Sequence, residues 1–343
     1  MWLFGFDLQL AQDEKAVANF LASYNLDYDV ESDLTVVVKQ GEEIVATGSL
    51  RENILQCFAV KPELRGVGLS AKIVDYLVQA AYDRGYTRLF VFTRPTNVDL
   101  FKSLGFRLLA ETSLAALLEI GTPSIQDYTR DLAGHAVSVG GSVGGMVMNC
   151  NPFTLGHQYL VEQAAVSCRH VYLFVVQEER SAFPFSARFE MVKRGTAHLP
   201  NVTVLPSGPY TVSLATFPSY FTAEETTHAR AGAGIDATVY GKHIAPALRI
   251  DRRFVGTEPY SPVTRIYNRT MEEVLRKYGV ELIEIPRLEI DGRPVSASEV
   301  REGLRADDYE RWSVLVPETT KEFLLSPEAA PVIERLKKSR GRH

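Results

Sequence analysis

The chain is poor in the residues that staple, anchor or metallate a protein. It has 343 residues and three cysteines, Cys57, Cys150 and Cys168. An odd, unpatterned set excludes a disulfide framework and leads us to expect a reducing, cytoplasmic setting. His170, His198, His228 and His243 stand singly, and no histidine pair has metal-ligand spacing, so no protein-bound metal is expected. No apolar run approaches the ~20 residues that span a bilayer. The start, MWLFGFDLQLAQDEK, lacks a basic region and a small-residue cleavage site, so no signal peptide is read. Positive charge is not in surplus: 37 Lys and Arg stand against 42 Asp and Glu, for a net charge of -5. That balance gives no footprint for nucleic acid.

What is present suits a soluble two-domain chain, since 343 residues exceed one ordinary core. The most informative stretch is Gly144 to Cys168, GGMVMNCNPFTLGHQYLVEQAAVSC. Met146-Val147-Met148 reads as a short buried strand, and Asn151-Pro152 ends it. Leu160, Ala164 and Cys168 then recur at helical spacing. This places Thr154, Gly156 and His157 at a helix entrance, where free N–H groups and a partial positive charge suit phosphate. Gly156 is expected to leave room for that phosphate. These letters resemble the T/HxGH signature of the adenylyl- and cytidylyltransferase superfamily.

The first third reads differently. Thr35–Val38, Ile44–Ala46 and Ile54–Val60 are expected antiparallel strands, with a turn at Gln40-Gly41. Arg65-Gly66-Val67-Gly68-Leu69-Ser70 follows, then a helix through Ile73, Leu77 and Ala81, so backbone N–H groups from Gly66 to Ser70 form a second anion-binding entrance. This stretch resembles the R-x-x-G-x-G/A loop of GNAT acetyltransferases, with Ser70 replacing the usual small residue. Ser103–Phe106 matches that fold's closing LGF. The resemblance implies a site for a CoA-like pyrophosphate. Where such enzymes often carry a tyrosine that protonates the leaving thiolate, this chain has Phe101, which has no acidic proton.

Residues 122–145 are rich in glycine and serine and are read as a linker between a domain at 1–121 and one at 146–343. Beyond them strands and helices alternate: Val171–Val176, Val202–Leu205, Ala237–Tyr240, Arg253–Gly256 and an alternating, edge-like Val280–Ile285, with a helix over Arg188–Leu199. The fold class is therefore α/β: a GNAT-like α+β domain, then a doubly wound parallel sheet of the Rossmann-like nucleotidyltransferase kind.

Three further stretches bear on chemistry. Val295-Ser296-Ala297-Ser298-Glu299-Val300-Arg301 is a second helix entrance, with Ser298 as cap or phosphate ligand and Arg301 one turn on. It resembles the superfamily's ISxSxxR element; the plain alternative is a serine cap with a solvent-facing arginine. Gly256-Thr257-Glu258 follows a strand where relatives cover the nucleotide. Phe183-Pro184-Phe185, with Arg188 and Lys193, offers basic side chains to a pyrophosphate, although Lys193 alone reads equally as a surface charge.

Taken with ATFPSYF (215–221) and IAPALRIDRRFVGTEPYSPVTRIYN (244–268), these segments are similar to the [citrate (pro-3S)-lyase] ligase family. The resemblance implies an acid–thiol ligase that forms AMP and pyrophosphate. It would use ATP with Mg2+, activate acetate as acetyl-AMP, and acetylate the prosthetic-group thiol of the citrate lyase acyl-carrier subunit. It implies catalytic Thr154, His157, Ser298 and Arg301. Asn151, Phe153, Gly156, Lys193, Gly256, Thr257, Glu258 and Ser296 would hold nucleotide, and Arg65, Gly66, Gly68 and Ser70 the carrier's dephospho-CoA-derived arm. Competing readings are a bifunctional protein with a true N-acetyltransferase domain and a small-molecule adenylyltransferase domain, a plain nucleotide adenylyltransferase, and a non-catalytic scaffold.

Overall fold

A computed structural model describes residues 5–213, 215–216, 226–257 and 262–338. The chain divides into two compact units, one through Asp127 and one from Tyr128.

The first unit is a seven-stranded mixed sheet. Strands β1 (Phe6–Leu10), β2 (Leu34–Gln40), β3 (Glu43–Arg51), β4 (Ile54–Val60), β5 (Arg88–Thr93), β6 (Arg107–Glu111) and β7 (Ala116–Gly121) lie in the order β1-β2-β3-β4-β5-β7-β6. Period-two alternation sends β2 residues to two cores. Val36 and Val38 meet Ile73 and Leu77 of helix α2 (Leu69–Asp83), while Val37 meets Val17 and Leu21 of α1 (Glu14–Ala22). The α3 helix (Val98–Ser103) seats Phe101, 1% exposed, edge-on to Phe58 and Phe106. Strands β4 and β5 run parallel but pair only at Ile54–Phe90 and Leu55–Val91. Beyond those pairs they part, which leaves a wedge at the end of the sheet from which α2 departs.

Helix α4 (Ile125–Ala133) occupies much of the stretch expected to be a linker, and the division between units falls inside it. Gly144 and Gly145 also belong to structure rather than to a linker. They lie in strand β8 (Val143–Met148), and a Cβ at Gly145 would come within 2.0 Å of the Tyr240 hydroxyl. These glycines are small because side chains pack directly on the strand.

The second unit is a five-stranded parallel sheet. Its strands β8, β9 (His170–Val175), β10 (Val202–Pro206), β11 (Arg252–Gly256) and β12 (Glu281–Ile285) lie in the order β10-β9-β8-β11-β12. All four ladders are parallel. Chain order reverses between β8 and β11, the position where such sheets bind ligands. These two strands pair only at Arg252–Gly144 and Arg253–Gly145, so their C-terminal ends stand apart and open a crevice.

Helix α5 (Leu155–Ser167) packs on one face through Val161 and Ala164, with α6 (Phe185–Gly195) beside it through Met191 and Val192. The expected strand at Ala237–Tyr240 is instead the end of helix α7 (Thr226–Val239) and the start of a π-helical turn over Tyr240–Ile244. There the buried Thr238 hydroxyl is satisfied by donating to the Gly234 carbonyl one turn back. Helix α7 and its π-helical turn, with α8 (Ala245–Leu248) and α9 (Pro262–Leu275), lie on the opposite face, where Tyr240 packs on Gly145.

After β12 a two-stranded hairpin, β13 (Glu289–Ile290) and β14 (Arg293–Pro294), leads into α10 (Ala297–Arg305), α11 (Tyr309–Ser313), α12 (Glu318–Leu324) and α13 (Ala330–Lys338). Lys337 and Lys338 lie in α13, where Lys337 pairs with Asp307 at 2.7 Å. Among the described residues, no helix is long and apolar enough to cross a membrane.

Candidate active site

The crevice between β8 and β11 is walled by two helix entrances. The first is a capping box. Thr154 is the N-cap of α5, its hydroxyl accepts from the His157 backbone N–H at 3.3 Å, and its own N–H donates to His157 Nδ1 at 3.0 Å. A ring nitrogen that accepts an N–H carries no proton, so the neutral imidazole holds its proton on Nε2. That nitrogen has no hydrogen-bond partner among the described residues. Burial first, and then the nearby Arg287 charge, push the His157 pKa down from 6.5 to about 4. At neutral pH the residue presents an uncharged N–H donor.

Little of the α5 entrance is left open. Leu155 N–H donates to the Leu315 carbonyl at 2.9 Å, His157 N–H to Thr154, and Gln158 N–H to the Thr154 carbonyl. Gly156 N–H and His157 Nε2 are the donors that remain. The reason for Gly156 also differs from expectation: its Cβ would lie 3.2 Å from the Val295 carbonyl oxygen, so it is the neighbouring loop that needs the space.

That loop is the second entrance. Ser296, not Ser298, caps α10 by accepting from Glu299 N–H at 3.2 Å. Val300 N–H reaches the Ser296 carbonyl, which leaves Ala297 and Ser298 N–H open. Ser298 lies one turn before Arg301 and accepts from its Nη2 at 3.2 Å. Arg301 does not face solvent. It is 6% exposed and donates from Nη1 to the Asn151 carbonyl at 2.6 Å. Arg301 and Asn151, and Gly156 and Val295, thus join the two entrances at two points.

Several expected ligands are buried and bonded within the protein. Thr154 is 1% exposed and spends its hydroxyl on His157. Phe153 is fully buried, with its ring stacked under His157 at 5.9 Å and Gly195 against its edge. It cannot touch a nucleotide. Asn151 Oδ1 accepts from Phe183 N–H at 3.0 Å. Arg188 is 0% exposed and donates to the carbonyls of Phe183, Asn149, Val176 and Glu178. It clamps the loop after β9 and has no capacity for pyrophosphate. Lys193 is exposed near the end of α6, and no described contact ties it to either entrance.

On the other wall, Gly256 ends β11, where a Cβ would lie 3.3 Å from Leu160. Thr257 N–H donates to the Ile285 carbonyl and its carbonyl accepts from Arg287 Nε at 2.8 Å. Glu258 and residues 217–221 lie outside the described residues. Arg287 is not marked by any sequence pattern; its one signal is a Pro-Arg pair directly after an edge strand. Among the described residues no group of three or more His, Cys, Asp or Glu side chains could hold a metal ion.

In the first unit, Gly66 and Gly68 both adopt left-handed backbone, φ +83° and +87°, and a Cβ at either position would meet nothing within 4 Å. Their backbone conformation, not crowding, requires glycine. Gly68 is the N-cap of α2 and offers no side-chain cap; Lys72 N–H takes its carbonyl, so Leu69, Ser70 and Ala71 N–H stand open. Arg65 is exposed beside them.

Comparison with known proteins agrees with both units. Residues 143–324 match the citrate lyase ligase C-terminal domain, and residues 7–106 match the acetyltransferase (GNAT) family. A [citrate [pro-3S]-lyase] ligase of Klebsiella pneumoniae is 38% identical over 93% of this chain and 95% of its own. Its counterpart in Escherichia coli is 36% identical over 90% and 89%. A solved structure, Thermotoga maritima TmcAL bound with alpha-thio ATP, covers 56% of this chain and 57% of its own at 18% identity and a TM-score of 0.37, too slight a likeness to argue from. On the two family matches and the full-length identity to these ligases, the chain belongs to the citrate lyase ligase family of enzymes.

Proposed function

We propose that this chain activates acetate with ATP and passes the acetyl group to the thiol carried by the citrate lyase acyl-carrier subunit, switching the lyase on. The observation that carries the reading is the meeting of two helix entrances at the switch point of a parallel sheet. Gly156, Ala297 and Ser298 N–H and His157 Nε2–H, at these entrances, have no partner among the described residues, which supports a role for them toward phosphate. The names of the relatives supply the lyase as target.

The chemistry has two steps. An acetate oxygen attacks the α-phosphorus of ATP, the bond to the β-phosphate bridge breaks, and pyrophosphate leaves. The carboxylate is already a nucleophile, so the protein needs no strong base; it must align the reactants and disperse charge on phosphate. Neutral His157 donates to an α-phosphate oxygen without becoming an acid in the ground state. The open N–H groups of α10, with Ser298 held by Arg301, receive the outer phosphates. Mg2+ enters with the triphosphate as part of the substrate, bound chiefly by phosphate oxygens and water. The carrier thiol then attacks the acyl carbon, the bond to AMP breaks, and the thiol proton is released.

The first unit fits the carrier's arm better than free acetyl-CoA chemistry. Its open α2 entrance suits a pyrophosphate, and Phe101 lies sealed between Phe58 and Phe106 with no proton to give. For this reason the bifunctional acetyltransferase reading is the weaker one. The test is acetate-dependent exchange of label between pyrophosphate and ATP, followed by release of AMP when deacetylated citrate lyase is added. Exchange without acetate, or a dinucleotide product, refutes the reading.

A further inference from the structure

We propose that Asn149 receives acetate, donating from its side-chain amide to the carboxylate oxygen that does not attack phosphorus, an inference that rests on the adenylation reading and names a residue for its acid.

Asn149 is the first residue past the C-terminal end of β8, a strand at the switch point of the parallel sheet. It opens the loop that leads into α5, and between Met148 and Leu155 it is the one residue that is not buried. Its amide is held in one orientation. Oδ1 accepts from Arg188 Nη1 and from Ser181 Oγ, each at 3.0 Å. Arginine can only donate, so the atom that meets Arg188 is the oxygen, and the amide cannot turn over. The Asn149 backbone carbonyl takes a further bond from Arg188 Nη1 at 2.9 Å, so backbone and side chain are fixed together. Nδ2 is left with two N–H groups and no partner among the described residues. Asn151, two positions on, has its Oδ1 fixed by Phe183 N–H, but it is only 4% exposed.

The reaction calls for such a donor. Acetate must meet the α-phosphorus in line with the departing pyrophosphate, so it cannot share the N–H groups that serve the phosphates. One carboxylate oxygen attacks; the other becomes the acyl carbonyl oxygen and needs a partner that sets its direction. A cation would hold the acid but draw charge from the attacking oxygen. A neutral N–H pair orients the carboxylate and leaves its charge available. Asn149 combines that chemistry with a rigid mount and partial exposure at the end of a switch-point strand. A role as a plain brace for Arg188 would use Oδ1 and the carbonyl and give Nδ2 nothing to do.

The test uses the full chain. Acetate-dependent exchange of label between pyrophosphate and ATP is measured for wild type, N149S and N149D over ranges of acetate and of ATP. Binding of isotope-labelled acetate is followed by NMR in the presence of α,β-methylene ATP. N149S removes the amide and adds no charge, while Arg188 keeps its backbone carbonyls. N149D keeps acceptors for Arg188 and Ser181 and puts an oxygen where the N–H pair stood. Both variants should raise KM for acetate by about 10- to 100-fold, the range for a lost hydrogen bond to a charged group. Acetate binding should weaken in parallel, and KM for ATP in N149S should stay close to wild type. An unchanged KM for acetate in folded N149S, or a KM for ATP that rises as far, overturns the proposal. A loss in kcat with both KM values unchanged makes Asn149 a brace and overturns it too. If N149S does not fold, N149D, which keeps the brace, decides by the same comparison. Wild type that binds acetate through Asn149 but shows no exchange upholds the inference and refutes the adenylation reading. Exchange in wild type with an unchanged KM for acetate in the variants does the opposite, and neither binding nor exchange in wild type refutes both.

Discussion

Arg301 Nη1 donates to the backbone carbonyl of Asn151 at 2.6 Å, across 150 residues of chain. It ties the loop entering α5 to the helix that closes the site, and it does so from inside the protein. The same guanidinium holds Ser298. Replacing Arg301 with methionine keeps much of the stem but leaves a buried carbonyl unpaired and releases Ser298. R301M should be destabilised by about 2 kcal/mol, measured by urea unfolding. It should also lose about 100-fold in acetate-dependent exchange through misplacement of the entrances. Lysine should rescue little, because a point charge cannot serve both partners. Activity that falls only in proportion to the unfolded fraction would show that the tie is structural alone.

Gly156→Ala separates geometry from stability. Alanine is favoured over glycine inside a helix by about 1 kcal/mol. Its Cβ would, however, sit 3.2 Å from the Val295 carbonyl, which must give way by a few tenths of an ångström. The two effects oppose each other, so the melting temperature should move by only a few degrees. The entrances should part, and kcat/KM for exchange should drop by about 100-fold. A variant with wild-type exchange would mean that the spacing of Gly156 and Val295 does not matter to the reaction.

These two cases also show what a sequence makes legible. The Thr154–His157 entrance, the open glycine loop before α2 and several of the strands can be read because each depends on local rules: a cap, a left-handed turn, a period of two or 3.6. The functions of individual letters are less visible. Thr154, Phe153 and Arg188 have the chemistry of ligands and the burial of supports, and burial is decided by packing from distant segments. Gly144 and Gly145 read as linker because nothing nearby shows that Phe254 and Tyr240 pack on them. Ala237–Tyr240 reads as a strand, yet β-branched and aromatic letters fit a helix once tertiary contacts require it.

The depressed pKa of His157 makes a stability prediction with a definite sign. The folded value is about 4 and the ordinary value 6.5, so between them the unfolded chain binds a proton that the folded chain refuses. Stability from this group is full above pH 6.5 and falls as pH drops toward about 4. In His157→Asn, whose amide can still accept from Thr154 N–H, that proton uptake is gone. The free energy of unfolding of H157N should therefore fall less steeply than wild type over this window, measured by urea melts at several pH values. Parallel curves would mean that His157 titrates normally in the folded protein. Exchange activity should be lost by about 100-fold at every pH, as for removal of one oxyanion donor.

Gly68→Asp tests whether the two units divide the labour. The Gly68 backbone is left-handed at φ +87°, a region that aspartate tolerates better than most residues, and a Cβ there would meet no atom within 4 Å. The cost in stability should be about 1 kcal/mol. The new carboxylate sits at the N-cap of α2, where it can take the open N–H groups for itself and repel a pyrophosphate. Acetate-dependent ATP–pyrophosphate exchange should be unchanged, because the adenylation residues all belong to the second unit. Acetylation of the carrier should fall through a raised KM for deacetylated citrate lyase, by about 10-fold or more, the range expected for one lost charged contact. Reactivation assays at saturating and limiting lyase distinguish KM from kcat. If exchange falls together with carrier acetylation, or if neither changes, the first unit does not hold the carrier's arm.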